Sequence, residues 1–198
     1  MDWLALIILA VGGAVVVPYL LYTKSQLLEA RNYVGAMNRA QQAYHLENDT
    51  FADSIPELGL GIKNPTKYYE YSMDKTPLAI YNYGMPRRRY MRSYLGVVVL
   101  LPNDNPDSND IMTQALLCET EPEVKPFPPI AKDGVLQCNP SMKDLLASGG
   151  IEVGKDWETA NRAFELVAEE KYEEAMQVAQ SLTSEFYRER VLEAIVDN

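Results

Sequence analysis

The side chains that could do chemistry are few and widely separated. Arg87-Arg88-Arg89-Tyr90-Met91-Arg92 is the one dense basic stretch, with Tyr81, Tyr83 and Tyr94 nearby in the chain. Guanidinium groups among aromatic rings suit anionic lipid headgroups or an acidic partner, and charge plus stacking also suits single-stranded DNA. The same residues equally make an ordinary solvated hairpin or pair with acids within the chain. Residues Asn103 to Asp110 carry oxygen ligands for calcium but lack the central glycine and terminal glutamate of an EF-hand loop, and Asn and Asp also stabilise a plain turn. The carboxylate pairs Glu169-Glu170 and Glu173-Glu174 fall on the expected solvent side of a helix, where they read as a solvated face rather than a general acid and base. With a single histidine, His45, and two cysteines, a four-ligand structural zinc site cannot be completed. No phosphate-cradling glycine loop, nucleophile elbow or histidine pair is present. These observations argue against an enzyme, and they call for no cofactor, metal or small-molecule substrate.

The elements that position these groups follow from composition and periodicity. The chain has 198 residues, 47% hydrophobic and 23% charged, enough to bury a core. Its formal charge of −10 argues against coating nucleic acid through overall charge. The acidity is concentrated: residues 151–198 hold 12 acids against 5 bases, whereas residues 24–150 hold 15 against 13.

Trp3 to Tyr22 runs 20 residues without a charge, about 30 Å if helical, the thickness of a hydrocarbon core. A cleaved signal peptide would want a basic start, a shorter apolar run and a small-residue cleavage site. Here the only early charge is Asp2 and the run ends in Tyr19, Leu20, Leu21 and Tyr22, which favours a retained transmembrane helix. Pro18 is tolerable near the end of such a span. Gly12-Gly13, with Ala10 and Ala14, could admit a neighbouring helix or simply pack on lipid.

Beyond the span, Leu27, Ala30, Val34, Met37, Gln41 and Tyr44 recur at spacings of three and four, predicting an amphipathic helix that ends near Asn48. Four runs rich in tyrosine and aliphatic residues follow, at 67–73, 78–83, 94–101 and 111–118, separated by turn-forming stretches. They predict an antiparallel meander of about four strands whose apolar face the helix covers. Ser54-Ile55-Pro56-Glu57 has the spacing of a capping box and predicts one helical turn. Residues 119–150, with prolines at 122, 126, 128, 129 and 140, read as an irregular crossing segment bracketed by Cys118 and Cys138. Those two are either a disulfide stapling that loop or two buried thiols; the staple is favoured and would place the domain in an oxidising compartment.

Residues 29–48, from Glu29-Ala30-Arg31-Asn32-Tyr33-Val34-Gly35 through Met37-Asn38-Arg39-Ala40-Gln41-Gln42 to Asn48, closely resemble the long first helix of type IV pilins, particularly the pilin-like proteins of cyanobacteria. Thr50-Phe51, Leu58-Gly59-Leu60-Gly61, Ser93-Tyr94-Leu95-Gly96 and Cys118-Glu119 also look like that group, and the resemblance covers residues 3–140. It implies an α+β, ladle-shaped fold: a helical spine, an antiparallel sheet on its outer half, and a C-terminal loop often tied by a disulfide. It also implies a soluble domain on the periplasmic or lumenal side of a bacterial plasma or thylakoid membrane, although Lys24 and Arg31 after the span weakly favour the opposite orientation. Pilins carry a basic leader, a cleavage glycine and a nearby glutamate. Aligning Pro18 with the family's helix proline puts Met1 about where that glutamate belongs, so the expectation is an anchored subunit outside the usual maturation route.

The acidic end returns to helical spacing. Trp157, Ala160, Phe164 and Val167, then Tyr172, Ala175, Val178, Ala179 and Leu182, then Val191, Leu192 and Ile195 predict three short helices, with turns near Glu170-Lys171 and Thr183-Ser184. Gly149-Gly150 and Gly154 predict a hinge before them. Tyr172 to Ala179 resembles one unit of a tetratricopeptide-like repeat, though arrays need about three units to form a continuous core. The chain therefore divides into a transmembrane part (1–22), a pilin-like domain (23–148) and an acidic helical extension (149–198). Either the extension docks a partner or it folds back as a cap. The predicted function is a non-enzymatic, single-pass membrane subunit of a protein assembly, with a minor pilin or pseudopilin of a type IV pilus or type II secretion system as the alternative. Its expected partners are membrane lipid and other subunits of the complex, not nucleic acid. The expected contact residues are Arg87, Arg88, Arg89, Arg92, Trp157, Phe164, Tyr172 and Tyr187.

Overall fold

The computed structural model describes residues 28–103, 111–146 and 149–197. The apolar run at 3–22 and all but Asn103 of the 103–110 turn lie outside them. No helix among the described residues is long and apolar enough to cross a membrane.

The first helix, α1, occupies residues 28–48 of the described part. Its buried stripe is Ala30, Val34, Met37 and Gln41, as the spacing predicts, and His45 continues it while Tyr44 is only half-buried. Four long strands follow: β1 (Tyr69–Lys75), β2 (Ala79–Pro86), β3 (Tyr94–Pro102) and β4 (Ile111–Thr120). All three pairings between them are antiparallel. The fold is thus α+β, with a helix on an antiparallel sheet and helices after it.

The strands alternate strictly. Leu95, Val97, Val99 and Leu101 of β3 point to one side, while Val98 and Leu100 join Ile80 and Phe51 on the other. Every β3 residue from Tyr94 to Leu101 is buried, so this strand is covered on both faces. The sequence of β3 reflects this in its continuous apolar run, in place of the alternating pattern of a half-exposed strand.

The α1 face is set by close approach. A Cβ on Gly84 would lie 2.9 Å from Val34 Cγ2, and one on Gly96 would lie 2.8 Å from Val34 Cγ1 and collide with the Asn38 amide. These two glycines let the helix backbone settle onto the sheet. Asn38 Nδ2 then donates to the Leu116 carbonyl at 2.9 Å, and Asn82 Nδ2 donates to Asn38 Oδ1 at 2.9 Å. Farther along, the Gln41 amide accepts from Ala52 N–H at 2.9 Å and donates back to its carbonyl at 3.3 Å. Leaving a buried amide without a partner is costly, so these bonds favour one register of helix on sheet.

The described residues of 119–150 hold more regular structure than the expected irregular crossing. They contain β5 (Ile130–Lys132), β6 (Val135–Gln137) and β7 (Met142–Asp144). β7 pairs with β4 and widens the sheet from the expected four strands to five, while β5, β6 and β8 (Ile151–Glu152) form a second, three-stranded sheet. Strands of two or three residues are too short to display alternation, which hid them. One signal was available: Asp133-Gly134 closes the β5–β6 hairpin with φ of 54° and 79°, the residue pair such two-residue turns favour.

Three helices close the chain: α2 (Gly154–Ala168), α3 (Tyr172–Ser181) and α4 (Glu185–Val196). Of the glycines read as a hinge, Gly149 and Gly154 take φ of 72° and 71° with nothing within 4 Å of a Cβ position, whereas Gly150 is closely packed. A Cβ on Gly150 would meet Val135 Cγ1 at 2.7 Å, and the Gly134 carbonyl accepts from Val153 N–H at 2.8 Å and Gly154 N–H at 3.0 Å. The predicted turn at Ser54 to Glu57 is a short 3-10 turn at Pro56–Leu58, and the Glu57 carboxylate reaches back to Asp53 N–H and the Ser54 hydroxyl.

Candidate docking surfaces

The acidic helices do not hang free. Trp157, Ala160, Ala163, Phe164, Leu182, Tyr187 and Val191 share one core with Leu95, Val97, Val99, Leu101 and Leu116 of the sheet. Of the four aromatic residues expected to meet a partner, Trp157 and Tyr187 are 4% and 2% exposed, and Phe164 is also buried. Tyr172 packs half-buried against Leu166, Val167 and Ala175 between α2 and α3. Apolar side chains at helical spacing pack on the chain's own sheet and neighbouring helices, the commoner use of such a stripe. What α2 to α4 present outward is charge. Glu165, Glu169, Glu170, Glu173, Glu174, Glu185, Glu189 and Glu193 are all exposed. Only Glu165 and Glu169 form salt bridges among the described residues, with Arg162 and Lys171.

The basic turn lies between β2 and β3. Arg87, Arg88 and Arg89 are exposed, whereas Arg92 is held between Glu119 at 3.0 Å and Glu121 at 3.3 Å. Arg92 thus belongs to a structural network that includes the Tyr94 hydroxyl, which donates to Glu119 Oε1 at 2.7 Å. Burial, reinforced by that carboxylate, pushes the Tyr94 phenol above its ordinary value. Tyr81 and Tyr83 turn to the opposite face and pack partly buried beside the acidic helices; burial there pushes the Tyr81 phenol up to about 12.

Cys118 and Cys138 form a disulfide, 20 residues apart in sequence with Cα atoms 5.8 Å apart. Cys118 sits in the core shared by sheet and helices. The Cys118→Ser, Cys138→Ser double variant is expected to lose about 3 kcal/mol through the freed loop. Its denaturant midpoint should fall to match; an unchanged midpoint would assign the bond no stabilising role.

Two further features mark the seam between α4 and the rest. A cleft of about 520 Å³ lies between Leu101, Met112 and Gln114 of the sheet, the start of α2 and the α3–α4 turn. Asp156 ties its wall together by accepting from the Thr183 hydroxyl and from Ser184 N–H. The Tyr187 hydroxyl, which has no hydrogen-bond partner among the described residues, belongs to a cleft-lining residue. At the far end of α1, His45 packs on Phe51 with ring centroids 5.2 Å apart. Burial, with the Arg190 guanidinium adding to it and Asp49 opposing, holds the His45 imidazole below its ordinary value. A histidine that takes up a proton less readily when folded contributes stability that is complete above its unfolded value, about 6.5, and is lost as pH falls below it. Acidification from about pH 7.5 to about pH 5.5 should therefore lower the melting temperature more steeply in the native chain than in His45→Gln. Parallel profiles would remove His45 from the account.

No group of three or more His, Cys, Asp or Glu placed to hold a metal occurs among the described residues. The family model for type IV pilin-like G and H proteins matches residues 28–139, from α1 past the second disulfide cysteine. No curated protein and no solved structure matches the chain.

Proposed function

The chain belongs to the type IV pilin-like G and H family, and from that premise we propose that it is a non-catalytic, single-pass membrane subunit of a protein assembly, with α2 to α4 as its docking module. The observation carrying this reading is the position of the helices. They lie beyond the residues the family shares, their apolar faces are committed to the sheet, and an acidic surface is left outward. Exposed helix carboxylates, most of them without a salt bridge among the described residues, suit a basic protein surface, where complementary charge steers encounter and sets orientation. The uncharged run from Trp3 to Tyr22 supplies the anchor. Cell fractionation with alkaline extraction and a separate shearing step tests the reading. The chain is expected to stay with the membrane pellet. Recovery as a component of sheared extracellular fibres would replace this reading with that of a pilus subunit.

A further inference from the structure

We infer that the Arg87-Arg88-Arg89-Tyr90 turn is a membrane-surface contact that seats the head on anionic lipid headgroups beside its own span. The inference rests on the anchored reading above.

Placement is the first support. Glu29, one residue into the described part of α1, accepts from the Thr66 hydroxyl at 2.6 Å and the Tyr71 hydroxyl at 3.3 Å. The Arg87 guanidinium donates to the carbonyl of the same Thr66 at 2.9 Å, and Arg87 N–H donates to the Tyr68 carbonyl at 2.8 Å. The basic turn is therefore at the end of the head where α1 enters. The uncharged run ends at Tyr22, six residues before Leu28, and six residues reach at most about 21 Å in any conformation. The arginines are held close to the surface that the span must cross.

Availability is the second. Among the described residues, Arg88 and Arg89 form no salt bridge, and pairing with the acidic helices, the obvious internal use of this charge, does not occur. Tyr90 is 65% exposed beside them. A shallow groove next to the turn is bounded by Met85, Pro86, Ser93, Val124 and Lys125, with Glu123 its only carboxylate. Several guanidinium groups beside an exposed tyrosine suit a phosphodiester surface, which accepts forked hydrogen bonds and takes an amphipathic ring at the headgroup level.

The same geometry disfavours single-stranded DNA. Stacking needs a row of open rings, yet of the tyrosines nearest in sequence Tyr94 is buried and Tyr81 and Tyr83 face the helices, so of these only Tyr90 is open.

The test uses the full chain in nanodiscs, with a nitroxide at Met85→Cys, in phosphatidylcholine alone or mixed with phosphatidylglycerol. The mixed bilayer should shield the label from an aqueous relaxant, and Arg88→Ala with Arg89→Ala should restore access, the contact weakening roughly five-fold per arginine removed. Equal access in both bilayers, in a chain that does incorporate, would overturn the headgroup contact and leave the anchor standing. Failure to incorporate would overturn both. Shielding found in native membranes but not in the mixed nanodiscs would reassign the turn to a protein neighbour and overturn the lipid contact.

Discussion

A chain ending at Gly150 is expected to lose its folded head together with its helices. Removing α2 to α4 strips the cover from Leu95, Val97, Val99, Leu101 and Leu116, all buried in the intact protein. Trp157, Phe164, Leu182, Tyr187 and Val191 each contribute about 1.5–3 kcal/mol by burial, so the loss is on the order of 10 kcal/mol. That equals the whole stability of an ordinary domain, about 5–15 kcal/mol. The shortened chain should bind an apolar dye, lose its near-ultraviolet tyrosine signal and show no cooperative melt. A sharp melt within a few degrees of the full chain would mean that the helices are an optional appendage. The consequence for any search for partners is direct: truncation at this point removes the head as well as the acidic face.

The second large effect belongs to Gly96. A valine there must displace the Asn38 amide and Val34, which already lies 2.8 Å from where a Cβ would sit. Overpacking costs about 1–3 kcal/mol. Breaking the bonds linking Asn38 to Leu116 and Asn82 adds about 1–3 kcal/mol for buried groups left unsatisfied. Gly96→Val should therefore lose about 2–6 kcal/mol, a fall of about 4–24 °C in melting temperature for a chain of this size. Gly59→Val serves as a comparison because nothing lies within 4 Å of its Cβ position, although its φ of 64° makes that change costly for a local reason. If Gly96→Val melted with the native chain, helix and sheet could not be in the close register described.

Much of this arrangement was legible because its signals are long. The four main strands lie within a few residues of their expected limits, since seven to ten residues are enough to show tyrosine-rich or continuous apolar character. The amphipathic period gave α1 and its stripe in the same way, and the final three helices likewise. Periodicity says which face is buried but not what covers it. Trp157, Phe164 and Tyr187 looked as available to a partner as to the sheet, and only tertiary structure shows that β3 needs cover on both sides. A clue lay in β3 itself, whose unbroken run from Leu95 to Leu101 is too apolar for a strand with one wet face. The small sheet escaped because its strands are two or three residues long, and the polar seam of Asn38, Gln41 and Asn82 because an amide in an apolar stripe does not name its partner. Arg92 and its three neighbours formed one sequence cluster, yet two nearby carboxylates separate its role from theirs.

The docking claim is tested most directly by quantitative co-purification of the full chain from mild detergent, native against Glu174→Lys, Glu189→Lys, Glu193→Lys. These three carboxylates are exposed and form no salt bridge among the described residues, and surface changes of this kind usually cost within about 0.5 kcal/mol each. The fold should survive, verified by an unchanged melt, while the associated subunits recovered with the native chain are lost. Recovery of the same subunits in the same amounts by the charge-reversed chain would contradict the account.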